Sequence, residues 1–159
     1  MKKKKVYNEY KNEIEIDDLV ETNLEYYKPL FDKFEKEGKV KSFNLYALLF
    51  APYWYIYRKM IFKGILLIGF QAILATFAYS IKSPLFIGLF LLSFLLYVRA
   101  GYYGNYDYYK NVLKLQSMGN TVAVKFRHKF MNDKSGVDLY MTTIWIFTSI
   151  ALYAAVVFL

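Results

Sequence analysis

The sequence contains no cysteine, one histidine and three prolines in 159 residues. Without cysteine the chain can form no disulfide, hold no zinc–thiolate site and offer no thiol nucleophile, and its redox compartment stays open. The single histidine, His128, stands between Arg127 and Lys129 and is flanked by Phe126 and Phe130. One imidazole without a neighbouring carboxylate pair does not make the ordinary ligand set of a zinc ion. His128 therefore reads as a solvated interfacial side chain. A phosphate-cradling loop, a dinucleotide fingerprint and a serine in a nucleophile elbow are also missing. The expectation is a non-enzymatic chain with no catalytic residue, no metal and no cofactor.

The most informative absence is of charge. Residues 64–81, 84–98 and 139–159 hold no charged side chain. A helix needs about 20 mostly apolar residues to cross a hydrocarbon core ~30 Å thick. The third stretch meets that length, the first lies near its lower limit, and the second reaches it when Ser83, Arg99 and Ala100 extend it. All three are apolar on every side rather than along one stripe, unlike the helices of a soluble domain. The predicted fold is thus all-α, an integral membrane protein with spans at about 64–81, 83–99 and 139–159. No acid falls inside these spans, so an ion-coupled carrier would lack its usual parts.

What charge there is, formally +8, is placed unevenly. Residues 1–63 carry thirteen Lys/Arg and residues 99–138 carry seven, whereas the connection between the first two spans carries only Lys82. Basic residues near span ends stay in the cytoplasm. A cytoplasmic N-terminus with the C-terminus on the other side puts both basic segments on one face of the bilayer. The opening Met-Lys-Lys-Lys-Lys lacks a following apolar core, so it is read as a solvated or lipid-attracted tail rather than a cleaved signal.

Three regions follow. Residues 1–41 form a cytoplasmic helical segment whose first fifteen residues are expected to be disordered. From Ile16, apolar residues recur at intervals of three and four through Leu19, Tyr27, Phe31 and Phe34, a helical period. Pro29 is expected to split this region into two short helices, and Gly38 to stop it. Residues 42–60 form an aromatic segment, capped by Ser42 and interrupted by Pro52, that lies in the membrane interface or re-enters. Residues 61–159 form the membrane domain, with a helical cytoplasmic loop over 100–138. Lys82–Ser83 makes a tight turn ahead of Pro84 at a helix start, and Asp138 is placed to cap the third span.

The aromatic segment carries a resemblance. Phe43-Asn44-Leu45, Ala47 to Pro52, Trp54, the run Tyr57-Arg58-Lys59-Met60 and Gly64 are similar to the signature of an uncharacterised family of small bacterial inner-membrane proteins. Gly101, Gly104, Asn105, Tyr108 and Tyr109 fit the same pattern. The resemblance covers roughly residues 42–112. Leu45 stands where the family tends to have Trp, and Ala51 where it tends to have Gly. Some relatives carry an N-terminal cysteine-rich metal module that this chain does not have. The resemblance implies a bacterial inner-membrane location and assigns no activity.

Candidate sites follow from residue type and position. Trp54, Tyr57, Arg58 and Lys59, together with Lys125, Arg127 and Lys129, are candidates for contact with anionic lipid headgroups, either as a clamp or as simple anchors that snorkel to the interface. The position of 125–130 directly before a span favours the inner leaflet over a nucleic acid. Gln71, Ala72, Thr76 and Ser80 form a small polar ridge on the first span, and Ala151 and Ala155 a small patch on the third; these faces are the expected helix–helix contact. Leu19, Tyr27, Phe31 and Phe34 form an apolar stripe that would dock a partner or fold back on the cytoplasmic loop. Asp107, alone among cations in its helix, is expected to pair with Lys110 or Lys114. The functional expectation is a membrane-anchored interaction or accessory protein, partnered by anionic lipid and by another protein or a second copy. The alternative is a subunit of an oligomeric channel or small transporter, its pore lined by Gln71, Thr76 and Ser80.

Overall fold

A computed structural model describes residues 13–158. The basic N-terminal tail, and most of the segment expected to be disordered, lie outside the described residues. Among those described, the chain forms nine helices and no strand: α1 (Ile16–Val20), α2 (Leu24–Glu37), α3 (Leu45–Leu49), α4 (Ala51–Tyr57), α5 (Ile61–Ile81), α6 (Pro84–Ser93), α7 (Leu95–Thr121), α8 (Val124–Lys134) and α9 (Leu139–Phe158). Three of its rods, Ile61–Ile81, Pro84–Thr121 and Val124–Phe158, contain stretches long and apolar enough to cross a membrane. The fold is therefore the expected all-α, three-span architecture of a multi-pass membrane protein.

The local chemistry explains most of the boundaries. Lys82 takes a left-handed conformation, Ser83 caps the next helix through Leu85 N–H, and Pro84 opens α6, which makes α5 and α6 an antiparallel hairpin. Asp138 caps α9 by accepting from Met141 N–H at 2.9 Å. Gly38 ends α2 in the left-handed region, which a residue without Cβ enters at no steric cost.

Several expectations need correction. α2 runs unbroken through Pro29; the carbonyl that loses its partner is that of Glu25, in the exposed first turn, where solvent can satisfy it. The break falls earlier, at Glu21 and Asn23, both at positive φ. Asn44, not Ser42, caps α3 through Ala47 N–H, and Ser42 accepts from Asn105 instead. α6 and α7 run on with a helical residue, Phe94, between them. The second span therefore continues straight out of the apolar zone, because Arg99-Ala100-Gly101 contains nothing that breaks a helix.

The long rod organises the rest. Its outer half receives α1, α2 and α8, while its middle receives α3 and α4. Together these build a head at one end of the spans. Lys82 lies at the other end, where the Tyr79 hydroxyl donates to the Val157 carbonyl of α9. The core is aromatic and lies in the head: Tyr27, Phe31, Phe34, Trp54, Tyr55, Tyr108 and Tyr109 are all buried in it.

Candidate functional site

The segment before α3 is laid along one turn of α7. Ser42 N–H donates to Tyr102 O at 2.9 Å and Asn44 N–H to Gly101 O at 2.8 Å. Beneath it Asn105, fully buried, accepts from Asn44 Nδ2 at 2.7 Å and donates to the Tyr26 and Ser42 hydroxyls at 3.0 Å each. A buried amide with three partners specifies a single arrangement, since any slip would strand its polar atoms. α3 can approach this closely because position 101 is glycine: a Cβ there would meet Leu48 Cβ at 2.9 Å. At Gly64 the fit is tighter still, against the Pro52 carbonyl and Ile56, which locks α4 onto α5.

This packing aims Arg58, at the end of α4, into the head. Only 3% of it is exposed. Its guanidinium lies 4.5 Å from the Tyr27 ring centroid, 5.2 Å from that of Tyr108 and 5.5 Å from that of Tyr57. Cation–π contacts of this kind gain strength when desolvated. Burial pushes the Tyr27 phenol up to about 12, against the lowering pull of the guanidinium, so the ring it presents is neutral. One nitrogen, Nη1, donates to the Thr22 carbonyl at 3.3 Å. Nε is buried with no acceptor among the described residues, while the guanidinium interacts with the Tyr27 and Tyr108 side chains, whose phenols burial raises against its downward pull. No carboxylate among the described residues pairs with Arg58.

Arg58 forms part of the wall of a cavity of about 800 Å³. Tyr27, Trp54 and Tyr57 line it inside the head, Thr142 of α9 closes one side, and Leu45, Tyr46 and Phe50 form an apolar, exposed mouth.

A second polar cluster sits where α4, α5 and α7 meet. Asp107 is held by Arg99 at 3.0 Å, by Lys63 at 3.2 Å and by the Tyr55 hydroxyl at 2.7 Å. Burial first, and then the bond to Asp107, push the Tyr55 phenol well above its ordinary value. Asp107 therefore ties together three elements rather than pairing with Lys110 or Lys114, both of which lie along its own helix.

The remaining expected residues fall as follows. Trp54, Tyr57 and Arg58 converge on the cavity. Arg58 faces inward, so it neither snorkels nor grips a headgroup from outside. Lys59 turns away, donating to the Asp133 carbonyl at 3.0 Å, and burial holds its ammonium below the usual range against the pull of Asp138 and Glu21. Lys125 and Lys129 are exposed on α8. Arg127 is not a headgroup contact: it is buried and closes the end of α7, donating to the Val122 and Asn120 carbonyls at 3.0 Å each. The helix end leaves those carbonyls without intrahelical donors, and a guanidinium satisfies two at once.

Gln71 is buried in the hairpin, donating to Ser93 Oγ at 3.2 Å and accepting from the Tyr97 hydroxyl at 3.0 Å. Ala72 and Thr76 are half-buried, while Ser80, Ala151 and Ala155 are exposed. The contact with α9 uses its other face, through Thr142 and Ser149, the latter sharing a hydrogen bond of 2.5 Å with Tyr53. Small size alone pointed to the alanines, but a polar partner decided the face. Leu19, Tyr27, Phe31 and Phe34 are buried against the head, Phe31 lying 5.8 Å from Tyr108 and 5.0 Å from Tyr109. The stripe is thus consumed within the chain and presents nothing to a partner. Asn105 and Tyr108, the hubs of the site, were not among the candidate site residues; their signal was the Gly101–Tyr109 pattern that carries part of the resemblance, an asparagine set in a run of tyrosines. Among the described residues, no three His, Asp or Glu side chains come together as metal ligands.

No curated protein and no solved structure matches the chain. A family model described as "Protein of unknown function (DUF2628)" matches residues 17–114, which takes in the stripe, the aromatic segment, the first two spans and most of α7. The chain belongs to this family.

Proposed function

We propose that this member of the family is a non-enzymatic, membrane-anchored accessory protein, held in a bacterial inner membrane with its head on the cytoplasmic side and its C-terminus outside. The observation that carries the reading is the build of the head. It stands on the outer half of the same helical rod that forms the second span, so whatever binds the head is tied mechanically to the membrane domain. The spans bury few of their own residues. That is the form of an anchor rather than of a conduit.

Orientation follows from charge: Arg58, Lys59, Lys63 and Arg99 gather at the head end, whereas the far connection holds Lys82 alone. Lys125 and Lys129, exposed on α8, would meet the anionic inner leaflet, where each basic side chain contributes about 1 kcal/mol. The alternative, a pore assembled between copies, loses support from Gln71, whose amide is engaged by Ser93 and Tyr97 inside the hairpin. The partner is another membrane or cytoplasmic protein, or a second copy; no nucleic acid is involved.

The test is the mass and content of the complex extracted from its own membrane in mild detergent. A stoichiometric second protein is the expected result. A homo-oligomer that conducts in planar bilayers would replace the accessory reading with the pore. Single introduced cysteines at 82 and 125 would report opposite sides of the bilayer.

A further inference from the structure

We propose that the cavity at Arg58 is a binding site for a singly charged amphiphile, an oxyanion head carrying an apolar chain, with the head on the Arg58 guanidinium and the chain leaving through the mouth at Tyr46 and Phe50. The argument starts from an imbalance. Arg58 is 3% exposed, and burying a cation is costly unless it is paired and hydrogen-bonded. Three aromatic faces offset part of that cost, and one backbone carbonyl takes one nitrogen. Nε still lacks an acceptor among the described residues. Unsatisfied buried polar groups in a folded protein call for an explanation.

Geometry gives the class of ligand. Arg58 lines the cavity, and a guanidinium carries parallel N–H donors in a fork that matches the two oxygens of a carboxylate or phosphodiester. Among the described residues Arg58 is the only charged one lining the cavity, so a single negative charge balances it. The remaining lining is mainly aromatic and aliphatic, and about 800 Å³ lies within the range of small-molecule sites. Polarity also runs the right way. The charge is deep, while Tyr46 is 72% and Phe50 54% exposed at the mouth. A small hydrophilic anion would leave that mouth bare; an amphiphile covers it. This inference stands whether or not a protein partner exists.

The experiment uses the full chain purified in dodecyl maltoside and a dansyl-labelled undecanoic acid, titrated beside its methyl ester. The acid should bind saturably and about tenfold or more tighter than the ester, the fold-change of one charge-assisted hydrogen bond. Equal binding of the two, or no saturation, would overturn the proposal, and this comparison needs no variant to fold. Competition by phosphatidylglycerol would identify bilayer lipid as the source, and competition by fatty acid alone a free carboxylate; both uphold it. Displacement by acetate or inorganic phosphate at the concentrations that suffice for the amphiphiles would overturn it in favour of a small-anion site. Arg58→Gln should bring acid binding down to that of the ester, with Arg58→Lys intermediate. Thr142→Phe, which narrows the cavity from α9 while leaving Arg58 in place, should weaken binding of both probes alike.

Discussion

The head and the spans bury opposite kinds of side chain. In the head the interior is aromatic: Tyr27 and Trp54 meet Tyr108 edge to face and Phe31 meets it at a tilt, with Arg58 enclosed among the rings. In the spans the most buried side chains include Gln71, Ser93, Thr142 and Ser149, while Phe62, Leu66, Leu91, Leu92 and Phe147 point outward. One chain thus follows two rules, because its two parts meet two solvents. Water drives aromatic rings together. Lipid does not distinguish an inward leucine from an outward one, so helices there are held by packing and by polar groups that have nowhere else to bond. Arg58 sits near the border between these regimes, buried as in the head but opening toward an apolar mouth.

Substitutions can break this comparison, and the largest effect should come from the aromatic core. Phe31→Ala is expected to cost about 3–5 kcal/mol, the usual penalty for emptying a buried aromatic site. Thermal unfolding of the head, followed by near-ultraviolet circular dichroism in detergent, measures it. An unchanged midpoint would mean that the stripe does not hold the head together.

Gly64→Ala should follow, at roughly 1–3 kcal/mol for overpacking. The added methyl would run into the Pro52 carbonyl, part of a backbone that cannot step aside. Gly64→Ala should also loosen α4, raising hydrogen exchange across 51–57.

Gln71→Leu sharpens the contrast. In water-exposed packing an added leucine would help. Here it removes the bonds to Ser93 and Tyr97, so a loss of about 0.6–2 kcal/mol is expected. A stabilised variant would show that the hairpin is held by apolar packing alone.

The smallest effect should come from Ala151→Leu with Ala155→Leu. Both positions are exposed toward lipid, and the double variant should stay within about 0.5 kcal/mol of the parent. A large loss would restore those alanines as a helix–helix or inter-copy contact.

Length, composition and local chemistry were enough to read the spans, the hairpin turn at Lys82–Ser83, the Gly38 stop and the Asp138 cap. Each depends on residues within a few positions of one another. The stripe of α2 was equally legible, as a period, but its destination was not. Whether Phe31 meets a partner or Tyr108 is a question of where a distant helix goes. The same limit hid the hub at Asn105, whose partners Tyr26, Ser42 and Asn44 come from two other segments.

By itself, then, the sequence determined that this chain is helical, multi-pass and basic toward one end, because hydrophobicity and charge act along the chain without reference to its fold. Tertiary structure decided the rest. Asp107 joins Lys63 of α5 and Arg99, earlier on α7, instead of Lys110 or Lys114, Arg127 closes a helix end, and α9 packs by Ser149 rather than Ala151. Arg58, which by position looked like an anchor in the interface, turns into an aromatic cage. A long cation can be satisfied from many directions, and only the packed neighbours determine which one it takes.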